Sequence, residues 1–421
     1  MTVLLQRGLE RAFSEFVDVV PVTILEGGRA VGKSTLCRVV GAQRGWPAPL
    51  DLAEPDRRAQ LLLDPIRFLS DLPTPAMIDE AQLEPELPLW VKHVVDRRQR
   101  GGQFVLTGSA RLGREQLGGS DPLAGRAVRL RLWGLTESEL AGTPAATARA
   151  LFDAPADAWL VQPAAASRRR RDWSRGGLPG LAGVLTDVDE SLLERAVSGY
   201  VESVVPLGAG SSRVDHARLL RLFRHVAANP GQILNLARLA SELGTTAPTA
   251  AGYLEMLEAS FLLYRVEAHR PSEHKVLTAH PRIFATDVAL AAWANRYQLD
   301  DARVLGSLME NGIAVAVAAT IDWSTDRVTL RHWRDQRNKR ETDLLAVHAD
   351  GRTVPIEVKA SSTVGPGDTR GLVAFAAANP STFHRAFVVY RGDRTVDLSP
   401  PELPARSILA VPDDVFLSVS A

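Results

Sequence analysis

Eight residues constrain this chain more than any others: Gly27-Gly28-Arg29-Ala30-Val31-Gly32-Lys33-Ser34 fits the pattern G-x-x-x-x-G-K-[ST]. The apolar run Val22–Glu26 precedes them and a helical pattern, Ser34–Val40, follows, which is the strand–loop–helix context the pattern needs. Gly27 and Gly32 let the backbone bend until its N–H groups face a phosphate, and the start of a helix adds positive potential. Lys33 can then reach the β- and γ-phosphates of a nucleotide, and the Ser34 hydroxyl can bind Mg2+. Thr35 completes the set of phosphate-binding candidates. A plain glycine turn after a strand is the alternative.

Three further segments supply what such a loop needs. Met77-Ile78-Asp79-Glu80-Ala81-Gln82 is an apolar strand that ends on two carboxylates. Asp79 suits Mg2+ held through water, and Glu80 suits a general base that polarises the attacking water. The alternative is a solvated acidic turn. In Leu106-Thr107-Gly108-Ser109, a hydroxyl at a strand end can position that water or sense the γ-phosphate, and Thr107 and Ser109 are equal candidates. Either could instead be a simple strand-end cap. In Leu123-Ala124-Gly125-Arg126, the arginine could stabilise charge on the γ-phosphoryl group, in cis or from a neighbouring subunit. Arg111 is a second candidate, and an ordinary surface arginine is the rival to both.

Short apolar runs, Val22–Glu26, Ala76–Ile78 and Phe104–Thr107, alternate with helical patterns such as Leu89–Arg98. This predicts an α/β fold with a parallel sheet covered on both faces. At 421 residues the chain has room for about three domains. The expected organisation is an ATPase domain over 1–142, a linker over 143–177, a helical winged-helix-like region over 178–300, a nuclease-like domain over 301–395 and a tail over 396–421. The linker is expected because alanine and proline dominate Pro155–Ala166, and the run Arg168–Arg171 reads as a solvated surface. Leu236–Leu243 and Ala250–Leu263, joined by a turn and followed by a strand at Leu262–Val266, give the winged-helix pattern. The second of these helices carries only Glu255 and Glu258 as charges, which disfavours a groove-reading role.

Beyond Arg303 the expected order is α-β-β-β-α-β, from helix Leu305–Ala319 through strands Val328–Trp333, Asp343–Val347 and Thr353–Val358 to helix Thr369–Ala377 and strand Ala386–Tyr390. Glu357 and Lys359 stand two apart on one strand and so share a face. With Asp343 and the helical Glu310 they resemble the constellation of the PD-(D/E)XK nucleases. That resemblance implies Mg2+ on Asp343 and Glu357, Lys359 orienting a water, and Glu310 as an auxiliary carboxylate. Arg331, Arg334, Arg337, Lys339 and Arg340 give a local basic patch. A nuclease-like fold kept for binding alone is the alternative.

The nucleotide motifs, with Asp51-Leu52 and Leu63-Asp64-Pro65, resemble the prokaryotic AAA-type ATP-binding proteins that carry a C-terminal domain of unknown function. Gly176–Pro179, Tyr253–Leu257, Glu341–Asp343 and Ile356–Lys359 extend the resemblance over nearly the whole chain. It departs at the segment Thr143–Asp172 and at Gly28, where such proteins usually have proline.

Lys plus Arg and Asp plus Glu number 49 each, so the formal charge is zero and a protein coated in basic charge is excluded. The single cysteine, Cys37, makes no internal bridge and reads as a small buried residue. His269, His274 and His280 read as surface histidines. No uninterrupted apolar stretch reaches the roughly 18 residues of a membrane span, and the N-terminus does not read as a signal peptide, so a cytoplasmic protein without a membrane partner is expected. The expected cofactors are ATP and Mg2+. Expected partners are DNA or RNA, a protein, or further copies of the chain. Three functions compete: an ATPase driving a nuclease-like module on nucleic acid, a slow nucleotide switch that binds a protein, and a winged-helix transcription regulator.

Overall fold

The computed structural model describes residues 5–112, 121–160, 172–182, 189–205, 214–269, 280–324, 326–335 and 339–419. The chain divides into two compact units. One comprises Arg7–Gly134 with Ala259–Phe261, and the other Met1–Gln6, Leu135–Glu258 and Leu262–Ala421.

The first unit is built on five strands: β1 (Val22–Glu26), β2 (Leu50–Asp51), β3 (Ala76–Asp79), β4 (Phe104–Gly108) and β5 (Ala127–Arg131). They lie in the order β2-β3-β4-β1-β5, all paired in parallel. β1, β3 and β4 are buried at every position. Strands covered on both faces are apolar throughout instead of alternating, which explains their continuous Val, Ile and Leu. Ile24, Ile78 and Leu106 pack with Leu61, Leu69, Val91 and Val94 in one core. Each such side chain contributes about 1.5–3 kcal/mol by leaving water. Helix Lys33–Arg44 extends the expected Ser34–Val40 at both ends, and Leu87–Arg98 begins two residues before the expected Leu89.

The second unit carries an eight-stranded sheet. Its strands are β6 (Leu263–Ala268), β7 (Arg282–Ala285), β8 (Val328–Asp335), β9 (Arg340–His348), β10 (Thr353–Lys359), β11 (Ala386–Tyr390), β12 (Val396–Asp397) and β13 (Ile408–Pro412), in the order β12-β13-β11-β10-β9-β8-β6-β7. β8, β9 and β10 form an antiparallel meander. Helix Arg370–Ala378 then carries the chain across to β11, parallel to β10. With helix Ala302–Trp323 in front, the expected α-β-β-β-α-β order is present.

Three expectations need correction. Where a linker is expected over 143–177, the described residues fold into the second unit: helix Thr147–Asp153 is largely buried, and Trp159 and Trp173 are completely so. Trp159 packs between Phe387 and Phe416, with ring centroids 4.5 and 5.8 Å away, and Trp173 Nε1 donates to Asp413 Oδ2 at 3.1 Å. These tryptophans anchor the described residues on either side of 161–171. Arg168–Arg171 lie outside the described residues. Second, the expected tail supplies β13, fully buried beside β11, and the helix Asp413–Ser418 with Phe416 in the core.

Third, the region 178–300 holds a second strand, β7, beside the expected one, which is β6. Its second helix runs Ala247–Ala259, and β6 begins at Leu263 after Phe261 turns in left-handed backbone at φ 54°. β6 pairs antiparallel with β7 and parallel with β8. Glu258, on the last turn of that helix, is spent on Arg265 of β6 at 2.7 Å. His269 is half-buried, His280 is exposed, and Arg337 and His274 lie outside the described residues.

Among the described residues one helix, Ala302–Trp323, is long and apolar enough to cross a membrane by length and composition. It is the core helix of its unit, burying Leu308, Met309, Ile313 and Val317 together with the polar Asn311 and Thr320. Asn311 exchanges hydrogen bonds with the Ala285 backbone of β7.

Replacing Trp159 by alanine should cost about 3–5 kcal/mol, as for a large aromatic cut from a core, read as a lower thermal midpoint. An unchanged midpoint would return the segment to a linker.

Candidate nucleotide site and a buried carboxylate cluster

β1 and β4 end side by side, with Glu26 opposite Gly108, and β3 ends beside β4. The loop 27–32 therefore leaves the carboxyl edge of the sheet, where open parallel sheets bind ligands. Sterics fix its shape. A Cβ on Gly27 would stand 2.2 Å from the Leu132 carbonyl, and Gly32 caps the following helix at φ 100°, a conformation open to glycine. Arg7 braces the loop from outside, donating to Val31 O at 2.8 Å and Trp133 O at 2.7 Å.

Lys33 is almost wholly buried and folds back over the loop, donating to Gly27 O at 2.9 Å and Gly28 O at 2.8 Å. Burial drives its ammonium down to about 8, against the pull of Glu80 and Asp79. Among the described residues its hydrogen-bond partners are two carbonyls, so the buried ammonium is ready for an anion. Arg29, Ala30 and Thr35 stand at the surface of the loop and helix, and Gly28 and Val31 are buried beneath it. Ser34 is half-exposed at the start of the helix, and Asp79 is buried at the end of β3. Their oxygens are the hard donors that suit a magnesium ion carried by a nucleotide.

Asp79 Oδ1 accepts hydrogen bonds from Thr107 Oγ1 and from the Glu80 N–H. Thr107 is thus committed to orienting Asp79, and Ser109, half-buried, lies just past the end of β4. Glu80 adopts left-handed backbone, φ 52° and ψ 40°, which a non-glycine residue keeps only where its surroundings hold it. The holder is Gln82. Its Nε2 donates to Glu80 Oε2 and, at 3.1 Å, to Ser109 Oγ, while its Oε1 accepts from the Ser109 N–H at 3.3 Å.

Arg126 does not join this group. It immediately precedes β5, whose first residue Ala127 stands opposite Val22, so it lies at the amino edge of the sheet. There it makes a two-pronged ion pair with Asp96 and holds that carboxyl below its usual range through the hydrogen bond. An arginine one strand length from the phosphate loop does not reach it in cis. Arg111, exposed just past β4, lies at the carboxyl edge.

The nuclease-like residues do come together in the second unit. Glu310 projects from helix Ala302–Trp323, Asp343 from β9, and Glu357 and Lys359 from β10, with Lys359 Nζ 2.6 Å from Glu357 Oε1. Burial and the nearby Asp343 charge push Glu310 up to about 8 and Glu357 up to about 7. At their centre stands Arg282 of β7, 3.0 Å from Glu310 Oε1, 3.2 Å from Glu341 Oε2 and 3.5 Å from Asp343 Oδ1.

A five-stranded parallel sheet with its phosphate-binding loop after β1 and a paired carboxylate on β3 fits the P-loop AAA fold. Residues 20–141 match the AAA domain family. Residues 167–301 match a domain of unknown function (DUF8612), and 305–407 another (DUF4143). Two mycobacterial relatives, uncharacterized proteins Rv2008c of Mycobacterium tuberculosis and Mb2031c of Mycobacterium bovis, are each 28% identical in an alignment that covers 99% of this chain and 84% of theirs. Solved structures with local likeness include the RuvB Holliday junction branch migration motor of Thermotoga maritima (20% identity, 64% of this chain and 90% of that one, TM-score 0.27). Another is AMPPCP-bound DnaA from Aquifex aeolicus (11% identity, 59% and 85%, TM-score 0.29). A third is the Aeropyrum pernix ORC1 protein in complex with DNA (15% identity, 72% and 94%, TM-score 0.26). Superpositions that loose carry no argument. The family match and the sheet support an AAA-type, nucleotide-binding P-loop module.

Sequence reasoning missed Gln82, Arg7 and Arg282. Gln82 stands inside the motif segment itself, two residues after Glu80, so its spacing could have been noticed. Exchanging Gln82 for leucine should leave nucleotide affinity within about threefold and slow turnover about 10- to 100-fold, the scale of a misplaced catalytic group. A faster rate would make the amide a restraint on Glu80 rather than its support.

Proposed function

We propose that this chain is an AAA-type ATPase that binds Mg-ATP, hydrolyses it and passes its nucleotide state to the carboxyl-terminal module. The observation that carries the proposal is the convergence of Lys33, Asp79, Glu80 and Ser109 on one sheet edge. Lys33 would exchange the Gly27 and Gly28 carbonyls for β- and γ-phosphate oxygens, which a buried ammonium prefers because they carry full charge. The N–H groups of the loop and the helix start would hold the remaining phosphate oxygens. Ser34 and Asp79 would hold Mg2+, with Thr107 fixing the Asp79 carboxylate. Bound magnesium neutralises charge that develops on the phosphoryl oxygens.

Glu80 would take a proton from water as its oxygen bonds to the γ-phosphorus and the bond to the β–γ bridging oxygen breaks. ADP and phosphate leave, and the proton returns to solvent. Ser109 would report the γ-phosphate to Glu80 through the Gln82 amide. An arginine completing the charge balance in cis would be Arg111. Arg126 would act only from a neighbouring copy, so that role implies a homo-oligomer. One observation favours a second reading, a slow nucleotide switch: Gln82 occupies a Glu80 oxygen that a water must share.

Lys33→Ala should abolish ATP binding in equilibrium dialysis. Glu80→Gln should retain binding and lose about 10²- to 10⁴-fold in turnover, the range of general-base catalysis. Ordinary turnover in the Gln variant would remove Glu80 from its role.

A further inference from the structure

The carboxyl-terminal carboxylates share the element order and Asp…Glu-x-Lys spacing of metal-dependent nucleases, and that likeness implies Mg2+ on Asp343 and Glu357. Their donor oxygens do not fit the ion. Asp343 Oδ2 accepts from the Val358 N–H at 2.8 Å, and Oδ1 faces Arg282 Nη1 at 3.5 Å. Glu357 Oε1 is taken by Lys359 at 2.6 Å. Glu310 Oε1 accepts from Arg282 Nη1 at 3.0 Å. Glu357 Oε2 is the one cluster oxygen that is buried with no hydrogen-bond partner among the described residues. Mg2+ binds through one or two carboxylates beside its waters, and the two that the likeness assigns to it are already engaged by the Val358 N–H, Arg282 and Lys359. Among the described residues, no group of three or more His, Cys, Asp and Glu side chains is arranged to hold a metal ion.

The positive charge inside the cluster is already supplied by a guanidinium. Arg282 enters from β7, which pairs with β6, and its side chain is only 6% exposed. Its planar fork reaches Glu310 with Nη1 and Glu341 with Nη2, and Nη1 also donates to the Asp343 carbonyl at 3.3 Å. A guanidinium keeps its charge at any accessible pH and cannot exchange with solution as a metal ion does. The carboxylates it joins come from two different elements, a helix and β9, so it also fastens the sheet to its covering helix.

We propose that Arg282 is the resident cation of this cluster, standing in for the divalent ion of the fold's nucleases, and that the carboxyl-terminal module is a metal-independent centre without phosphodiesterase chemistry. Nothing in this proposal depends on the ATPase reading.

The test is a Mn2+ titration of the full chain without nucleotide, followed by electron paramagnetic resonance. Four proteins are compared: wild type, Asp343→Asn, Arg282→Met, and the double variant. Wild type and Asp343→Asn should give superimposable isotherms. Arg282→Met, which removes the charge and keeps most of the volume, should gain one bound Mn2+ per chain, lost again in the double variant. A Mn2+ site in the wild type that disappears in Asp343→Asn would overturn the proposal, and so would a folded Arg282→Met that gains no site. If circular dichroism shows that Arg282→Met does not fold, the comparison of wild type with Asp343→Asn decides alone.

Discussion

Parallel pairing of β1 with β4, and of β4 with β3, brings Glu26, Gly108 and Asp79 to the same edge of one sheet. The loop at Gly27 starts from that edge, and the Leu132 carbonyl leaves it no room for a side chain. Because side chains alternate along a strand, a slip of one residue in either pairing would turn Asp79 or Thr107 to the wrong face. The Asp79–Thr107 hydrogen bond ties the ends of β3 and β4 together at the point where the chemistry is proposed. Lys33 completes the frame: its burial raises the cost of its charge, and its place over two carbonyls leaves it waiting for a stronger partner.

What was legible in the sequence was contiguous. The loop 27–34 carries its own geometry and flanks, and three of the five strands of the first unit, β1, β3 and β4, announced themselves by apolar runs closed by Glu, Asp or Gly, whereas the short β2 and the half-buried β5 did not. The α-β-β-β-α-β order of the second unit was also readable, because its helices and strands each have a clear period. Long-range contacts left no such trace. Arg7 braces a carbonyl 126 positions away, and Gln82 reaches Ser109 across 27. Arg126 was misplaced for a role in cis: its segment looked right, but β5 starts at the far edge of the sheet, and Asp96 pairs with it there. The alanine-rich stretch before Trp173 and the proline-broken tail misled for one shared reason. A few buried aromatics, Trp159, Trp173 and Phe416, tie their described residues into the core, and composition averages these away.

Zero net charge conceals a second unit with strong internal electrostatics. Four carboxylates, Glu310, Glu341, Asp343 and Glu357, gather around Arg282 and Lys359. Burial drives two of them, Glu310 and Glu357, toward holding protons near neutrality. The motif Asp…Glu-x-Lys was visible, but Arg282, which sits against it, lies in a stretch with no motif, on the edge strand β7 beside β6. A fold can keep the spacing of a chemistry while its neighbours supply a different charge balance.

The central claim is that the carboxyl edge of β1, β3 and β4 binds the phosphates of a nucleotide. Amide hydrogen exchange on the full chain, with and without Mg2+ and a non-hydrolysable ATP analogue, addresses it residue by residue. The account predicts slowed exchange at Gly27–Thr35, at Asp79–Gln82 and at Thr107–Ser109, with little change at Arg126. Unaltered exchange at Gly27–Thr35 under saturating analogue would contradict it.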